Sequence, residues 1–310
     1  MRRRLVRVPG SSANLGPGFD VFAAALALHC EVEVEEADRF SVSAPGLEVP
    51  LDRSNLVVRA FEHFHPADRV RFEIRSEIPL DGGLGSSGAA IVAGLVAADH
   101  LFELGNSHSQ ILAAATEIEG HPDNVAASLH GGIVVCPPSG APLDPAPADP
   151  VSVLLGPAEA TAPGPLRLEP PQGVEAIAVI PDERVATAEA RAALPQSVPL
   201  ADATANIAAA AHLICGIERS DLALIRRGLG DRLHQPYRAR LYPRSIELVE
   251  RAIELGAIGA TISGAGPTVL VWSFWQSSGP LVEALVHLTA GWADVQRVPF
   301  SPDGADVPEL

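Results

Sequence analysis

The stretch DGGLGSSGAAIVAGLVAADHL, residues 81–101, decides how this chain is to be read. Gly82, Gly83 and Gly85, with Ser86 and Ser87, run directly into an apolar, alanine-rich segment, the pattern of a tight turn opening a helix. Such an opening aims backbone N–H groups and the positive end of a helix dipole at one place, where an anion can sit. Glycines let the backbone approach a polyphosphate, and the two serines present hydroxyls at the helix start. The spacing is not the GxGxxG of a dinucleotide fold. A glycine turn before a helix also serves plain packing, so the rest of the chain must decide.

Composition narrows the choices. The chain has 310 residues and a formal net charge of -16, which disfavours nucleic acid or an anionic membrane as partner and requires any phosphorylated substrate to be held locally. All 22 basic residues are arginine; there is no lysine. That excludes a Walker-type GxxxxGK[ST] loop, the lysine of protein kinases and lysine Schiff-base chemistry. Cys30, Cys136 and Cys215 are odd in number and far apart, as reduced core thiols are. The longest uninterrupted apolar run, around residues 89–98, is far short of the ~20 residues of a spanning helix, so a soluble, cytoplasmic protein is expected.

Outward from the glycine turn, RVRFEIR alternates Val70, Phe72 and Ile74 as a strand would, and Ser54 can cap a helix running to about His65. Leu5 to Val8 and HCEVEVEE read as strands, with FSVSA, residues 40–44, as another. After the turn come helices to about Phe102 and from about Ser107 to Glu119, a short one at NVAASLH, and a strand at GIVVC. Residues 137–171 are crowded with proline and alanine and mark a long connection, where a domain boundary is expected. Beyond it VEAIAVIP and GATISGAGPTVLVW read as strands. ADATANIAAAAHLICGIE, DLALIRRGL and PRSIELVERAIELG read as helices, and VEALVHLTAGW and VQRVPF as a final helix and strand.

Three further segments carry chemistry. In VPGSSANLGPGFD, residues 8–20, Asn14 and Asp20 bracket a rigid LGPG and can bring an amide and a carboxylate to one cavity, although such a run usually means only a turn. In EIEGHPDNVAASLHGG, Glu117, Glu119, His121, Asp123 and Asn124 crowd into eight residues. Mg²⁺ on phosphates takes only one or two protein carboxylates, so a single glutamate there suffices; a helix cap at Asp123 or Asn124 is the plain alternative. ISGAGPT, residues 262–268, is a small-residue turn that permits close approach to a ligand.

In this order, SANLGPGFD, GLGSS, EGHPDNVA and SGAGPT resemble the motifs of the GHMP kinase superfamily and, within it, of the homoserine kinase family. TAEARAALP and QPYR resemble segments of the same family, so the likeness spans roughly the whole chain. It implies an α+β, two-domain GHMP kinase fold: an N-terminal domain over 1–155, like domain 2 of ribosomal protein S5, and a ferredoxin-like C-terminal domain over 156–310, with the active site between them. It implies ATP-dependent phosphorylation of the side-chain hydroxyl of L-homoserine, giving O-phospho-L-homoserine for threonine biosynthesis. MgATP and L-homoserine are then the small-molecule partners and a homodimer the assembly.

By motif, the resemblance puts the nucleotide on Asn55, Gly83, Leu84, Gly85, Ser86 and Ser87, with Asn55 near the adenine. It puts Mg²⁺ on Ser86 or Ser87 with Glu117, for which Glu119 is a close competitor. The amino acid falls on Asn14, Asp20, His121, Asp123, Arg191, Arg238 and Gly264, and Asp123, His121 and Arg191 are the catalytic candidates. Gly88 stands where the family usually has alanine, and Asp81 opens a DGG where a basic residue is common, so Asp81 is expected to point outward. A GHMP kinase acting on a related amino alcohol, and a non-catalytic binding protein of the same fold, are the alternative readings.

Overall fold

Alternation of apolar and charged residues builds the first sheet. Strands β1 (Arg3–Ala13) and β2 (Phe22–Glu36) pair antiparallel along their whole length, Arg3 opposite Glu35 and Ala13 opposite Ala23. Val32 and Val34 are buried, while Glu33 accepts two hydrogen bonds from the Arg3 guanidinium on the wet face. The outer part of β2 pairs with β4 (Val70–Ser76) and its inner part with β5 (Ile133–Val135); β3 (Ser41–Ser43) and β6 (Leu166–Leu168) form the edges. The computed structural model describes residues 2–137 and 164–309.

Four helices cover this sheet: α1 (Leu56–Phe64), α2 (Ser86–Phe102), α3 (His108–Glu119) and α4 (Asp123–His130). Helix α2, apolar on nearly every side, is buried in the middle, packed on β1 and β2 beneath and on α1, α3 and α4 around it. Its N-terminus, where the quoted stretch turns, is thereby fixed at the edge of the core. The cap of α1 is Asn55, not Ser54, because the Asn55 side chain accepts from Val57 N at 3.0 Å while Ser54 bonds Asp52.

The second sheet is antiparallel, in the order β10 (Ala293–Arg297), β7 (Val174–Pro181), β9 (Val269–Phe274), β8 (Gly259–Ile262). Helices occupy the connections from β7 to β8 and from β9 to β10, giving the β-α-β-β-α-β ferredoxin-like order. This is the mixed two-sheet architecture expected from the sequence. Two short helices, Thr187–Ala192 and Gln235–Arg238, have too few residues for a periodic pattern to reveal them.

The boundary expected at 155/156 lies outside the described residues. Among the described ones, β6 still pairs with β5 in the first sheet, and the second sheet opens at Val174. The chain then returns: Ser301 N donates to Ala25 O at 2.9 Å, and Arg7 and Asp306 exchange both backbone hydrogen bonds. Helix Leu200–Arg219 is long and apolar enough to cross a membrane by length and composition, which uninterrupted apolar runs did not reveal. Here it buries Asn206, Ala209, Leu213, Gly216 and Ile217 on one side, and Asn206 Nδ2 donates to Pro17 O at 2.7 Å.

Candidate active site

A cavity of about 410 Å³ opens where loops of the two halves meet. Its floor is the start of α2. Gly85, the residue preceding that helix, has φ +72°, and Gly83 has φ +75°, a left-handed backbone that side chains resist. A Cβ on Gly85 would lie 2.1 Å from Ser11 Oγ, and one on Gly83 2.5 Å from Ser263 O, so only glycine lets the turn lie against β1 and the SGAGPT turn. Among the described residues no side chain caps α2, which leaves its first N–H groups facing the cavity with Ser86 and Ser87. Leu84 is buried and does not line the cavity; its carbonyl accepts from Ser11 N at 3.0 Å and anchors the turn.

The opposite wall is the loop between β1 and β2. Asn14, Leu15 and Asp20 all have positive φ, at 71°, 46° and 56°. Asn14 holds this conformation from three sides: its N–H bonds Phe22 O, its Oδ1 accepts from Asp20 N, and its Nδ2 donates to Gly264 O at 2.7 Å. The loop also receives His234 Nε2 on Gly16 O at 2.8 Å, so groups from both halves lock it. Asp20 then faces Arg191, whose Nη atoms reach its two oxygens at 2.9 and 2.8 Å. The hydrogen bond to Asp20 raises the Arg191 pKa above its ordinary value.

Arg238 is a different case. It is 2% exposed, donates through Nε to Ala190 O and through Nη1 to Gly264 O and His234 Nδ1, and pairs with no carboxylate among the described residues. Burial pulls its pKa down, yet a guanidinium stays charged. Burial likewise lowers His234, and with Nε2 donating to Gly16 O, its Nδ1 accepts from Arg238: the neutral tautomer fits both bonds. A buried cation that hydrogen-bonds no carboxylate among the described residues, lining a cavity with only Asp20 and Asp231 at longer range, is a costly arrangement that an anionic ligand relieves.

Between these walls lies the EGHPDN segment. Asp123, 1% exposed, accepts through Oδ1 from Asn124 N at 2.7 Å and pairs with His121 Nδ1 at 2.9 Å; the hydrogen bond to Asp123 raises the His121 pKa. Asn124 Oδ1 in turn accepts from the Ser11 hydroxyl at 2.8 Å. The Ser87 hydroxyl donates to Glu119 Oε2, and burial raises the Glu119 pKa. Glu117, the residue expected at the metal, is exposed and does not line the cavity. Two residues apart on a helix point about 200° from each other, so only one of the two glutamates can face Ser87.

Of the residues singled out from sequence, Asn14, Asp20, Asn55, Gly83, Gly85, Ser86, Ser87, His121, Asp123, Arg191, Arg238 and Gly264 share this cavity; Leu84 and Glu117 do not. Asn55 is tied up structurally, capping α1 and donating to Pro50 O at 2.8 Å, beside an apolar wall of Leu47, Val49, Leu56 and Val57. Asp81, expected to point outward, is exposed and lies 3.6 Å from Arg184, but it also lines the rim of the cavity. Sequence reading missed Phe19, which lines the cavity, and Ser263, whose hydroxyl links Ser12 Oγ at 2.8 Å to Gly83 O at 2.6 Å. Both stand inside motifs already singled out, which was the available signal.

Known proteins resemble this chain in sequence and in fold. Residues 55–132 match the family model of the GHMP kinases N terminal domain, and residues 213–287 that of the GHMP kinases C terminal domain. The chain is 40% identical to a homoserine kinase of Corynebacterium urealyticum, over 92% of this chain and 90% of that one. It is 38% identical to a homoserine kinase of Desulfitobacterium hafniense, over 86% and 85%. The crystal structure of homoserine kinase from Cytophaga hutchinsonii superposes with a TM-score of 0.81 at 26% identity, covering 99% of this chain and 98% of that one. Likeness of this size along nearly the whole length places the chain by descent: it belongs to the homoserine kinase family of the GHMP kinases.

Proposed function

We infer that the protein transfers the γ-phosphoryl group of ATP to the side-chain hydroxyl of L-homoserine, forming O-phospho-L-homoserine for threonine biosynthesis. The observation that carries the acceptor's chemistry is the cavity's charge pattern: the buried Arg238 guanidinium, hydrogen-bonded to no carboxylate among the described residues, beside the Asp20–Arg191 pair. An α-amino acid brings one anion and one cation. Its carboxylate compensates the arginines, and its ammonium takes a place at Asp20.

The phosphates sit on the open N-terminus of α2, held by amides and by Ser86 and Ser87, and the adenine against Leu47, Val49, Leu56 and Val57. With no lysine in the chain, the amides and helix dipole carry the protein's share of charge neutralisation at this loop. The pairing of a Ser87 hydroxyl with a Glu119 carboxylate suits a hard cation that takes few protein oxygens, so these two residues would hold Mg²⁺. When bound with ATP, the ion supplies charge neutralisation across the phosphates.

Asp123 orients the acceptor. Its Oδ1 is engaged by His121 and Asn124, while Oδ2 makes no hydrogen bond among the described residues and is offered to the homoserine hydroxyl. In a loose phosphoryl-transfer transition state, alignment of that hydroxyl matters more than early removal of its proton. The test is coupled ADP release by purified protein with MgATP and L-homoserine, L-serine, L-threonine and mevalonate in turn. ADP release with another alcohol but none with L-homoserine would overturn the acceptor, and release with none would overturn the kinase.

A further inference from the structure

Phe19 sits in the SANLGPGFD loop beside Asp20, half-buried, with its ring on the cavity. Two guanidiniums lie over it: Arg238 Cζ is 5.4 Å from the ring centroid and Arg191 Cζ 5.7 Å. The neutral His234 ring lies 5.4 Å away, tilted by 33°. The three groups come from separate parts of the chain: the loop before β2, helix Thr187–Ala192 and helix Gln235–Arg238. Two like charges converging on one small volume repel. An aromatic face that attracts both offsets this without neutralising either, which a carboxylate would do.

We propose that Phe19 is a positioning residue of the acceptor pocket: its ring holds the Arg191 and Arg238 guanidiniums so that an α-carboxylate meets both. This rests on the reading of the cavity as an amino-acid site. Arg191 is held by Asp20 as well as by the ring. An incoming ammonium takes part of Asp20, and the ring then keeps Arg191, whose side chain is 42% exposed, from swinging into solvent. Phe19 thus lets Arg191 exchange one anionic partner for another while staying in place.

The test compares F19L, which keeps apolar bulk but has no aromatic face, with F19W, which keeps the face. Two lost cation–π contacts correspond to about a tenfold rise in KM for L-homoserine in F19L. The KM for ATP and kcat stay unchanged, and F19W remains near the wild-type value. An unchanged amino-acid KM in F19L, an equal rise in both variants, or an equal rise in the KM for ATP would each overturn the proposal. A second readout does not need the acceptor: phenylglyoxal modification of the free protein, mapped by mass spectrometry, is faster at Arg191 in F19L than in F19W or wild type. If wild type releases no ADP with L-homoserine, the acceptor reading falls and the phenylglyoxal comparison alone decides for Phe19; equal rates at Arg191 in all three proteins would overturn it.

Discussion

Arg191 grips both carboxylate oxygens of Asp20, at 2.9 and 2.8 Å, joining helix Thr187–Ala192 to the loop that precedes β2. The pair leaves this part of the cavity self-neutralised. A ligand with a single charge would compensate one partner and strip the other, whereas a zwitterion compensates both. R191A and D20N are therefore expected to raise the KM for L-homoserine about tenfold, less than for a fully buried pair because both side chains are partly exposed, with the KM for ATP little changed. R191K should not restore the affinity, because an ammonium lacks the planar fork that meets a carboxylate at two points. Steady-state kinetics in both substrates check this; recovery in R191K would show that charge alone is read.

Glu119 and Glu117 separate cleanly by variant. E119Q removes the carboxylate that faces Ser87 and should raise the Mg²⁺ concentration needed for half-maximal rate by about tenfold or more, while E117Q leaves it unchanged. Burial raises the Glu119 pKa, so protons compete with the cation at a higher pH than they would for an ordinary carboxylate near ~4.3. The Mg²⁺ requirement of the wild type accordingly begins to climb on acidification at a higher pH than an ordinary carboxylate would give, and that climb is lost in E119Q. Metal titrations at several pH values decide; a flat requirement in wild type would remove Glu119 from the metal.

His121 gives the pH dependence of stability. Its folded pKa is raised, first by the hydrogen bond to Asp123, above the unfolded value of about 6.5. A histidine shifted upward binds its proton more tightly in the folded state. Its stabilisation is therefore complete below the unfolded pKa and is lost as pH rises through the folded one. The stability gap between wild type and H121Q should be largest near about pH 6 and shrink towards about pH 9. Urea unfolding at both ends measures it, and a gap that widened with pH would reverse the assignment.

The sequence made the motifs legible because each is local: a glycine turn, a helix start, a cluster of polar residues within one turn of chain. It also made the long elements legible, since α2 and the β1–β2 hairpin carry their period over many residues. What it hid was produced by distance. Glu119 rather than Glu117 meets Ser87 because of where α3 ends, a rotation that spacing alone left open. Arg238 and Arg191 were nameable as candidates, but the absence of a carboxylate partner on the first among the described residues, and its presence on the second, exist only once the two halves dock. Phe19 belongs with these, since aromatic residues in loops are usually read as packing.

Gly85 and Gly88 stand three residues apart, and the structure gives them opposite tolerance. Gly85 needs a left-handed φ of +72°, and an added Cβ would also lie 2.8 Å from the backbone nitrogen of Ser11, which cannot turn aside as a flexible side-chain end can. G85A should cost about 2 kcal/mol or more of stability and weaken ATP binding, because the turn must leave the helix start it presents. Gly88 is already helical, and a Cβ there would lie 3.2 Å from Asn124 Cβ, a contact relieved by a shift of a few tenths of an ångström. Alanine is the better helix former by up to about 1 kcal/mol, so G88A should leave the unfolding midpoint nearly unchanged. The adjustment falls on Asn124, which donates its N–H to Asp123 and accepts the Ser11 hydroxyl. G88A is therefore expected to change turnover with L-homoserine more than stability. Denaturant titration beside kinetics separates the two, and a large loss of stability in G88A with unaltered turnover would show that glycine at this position serves packing rather than the orientation of Asp123.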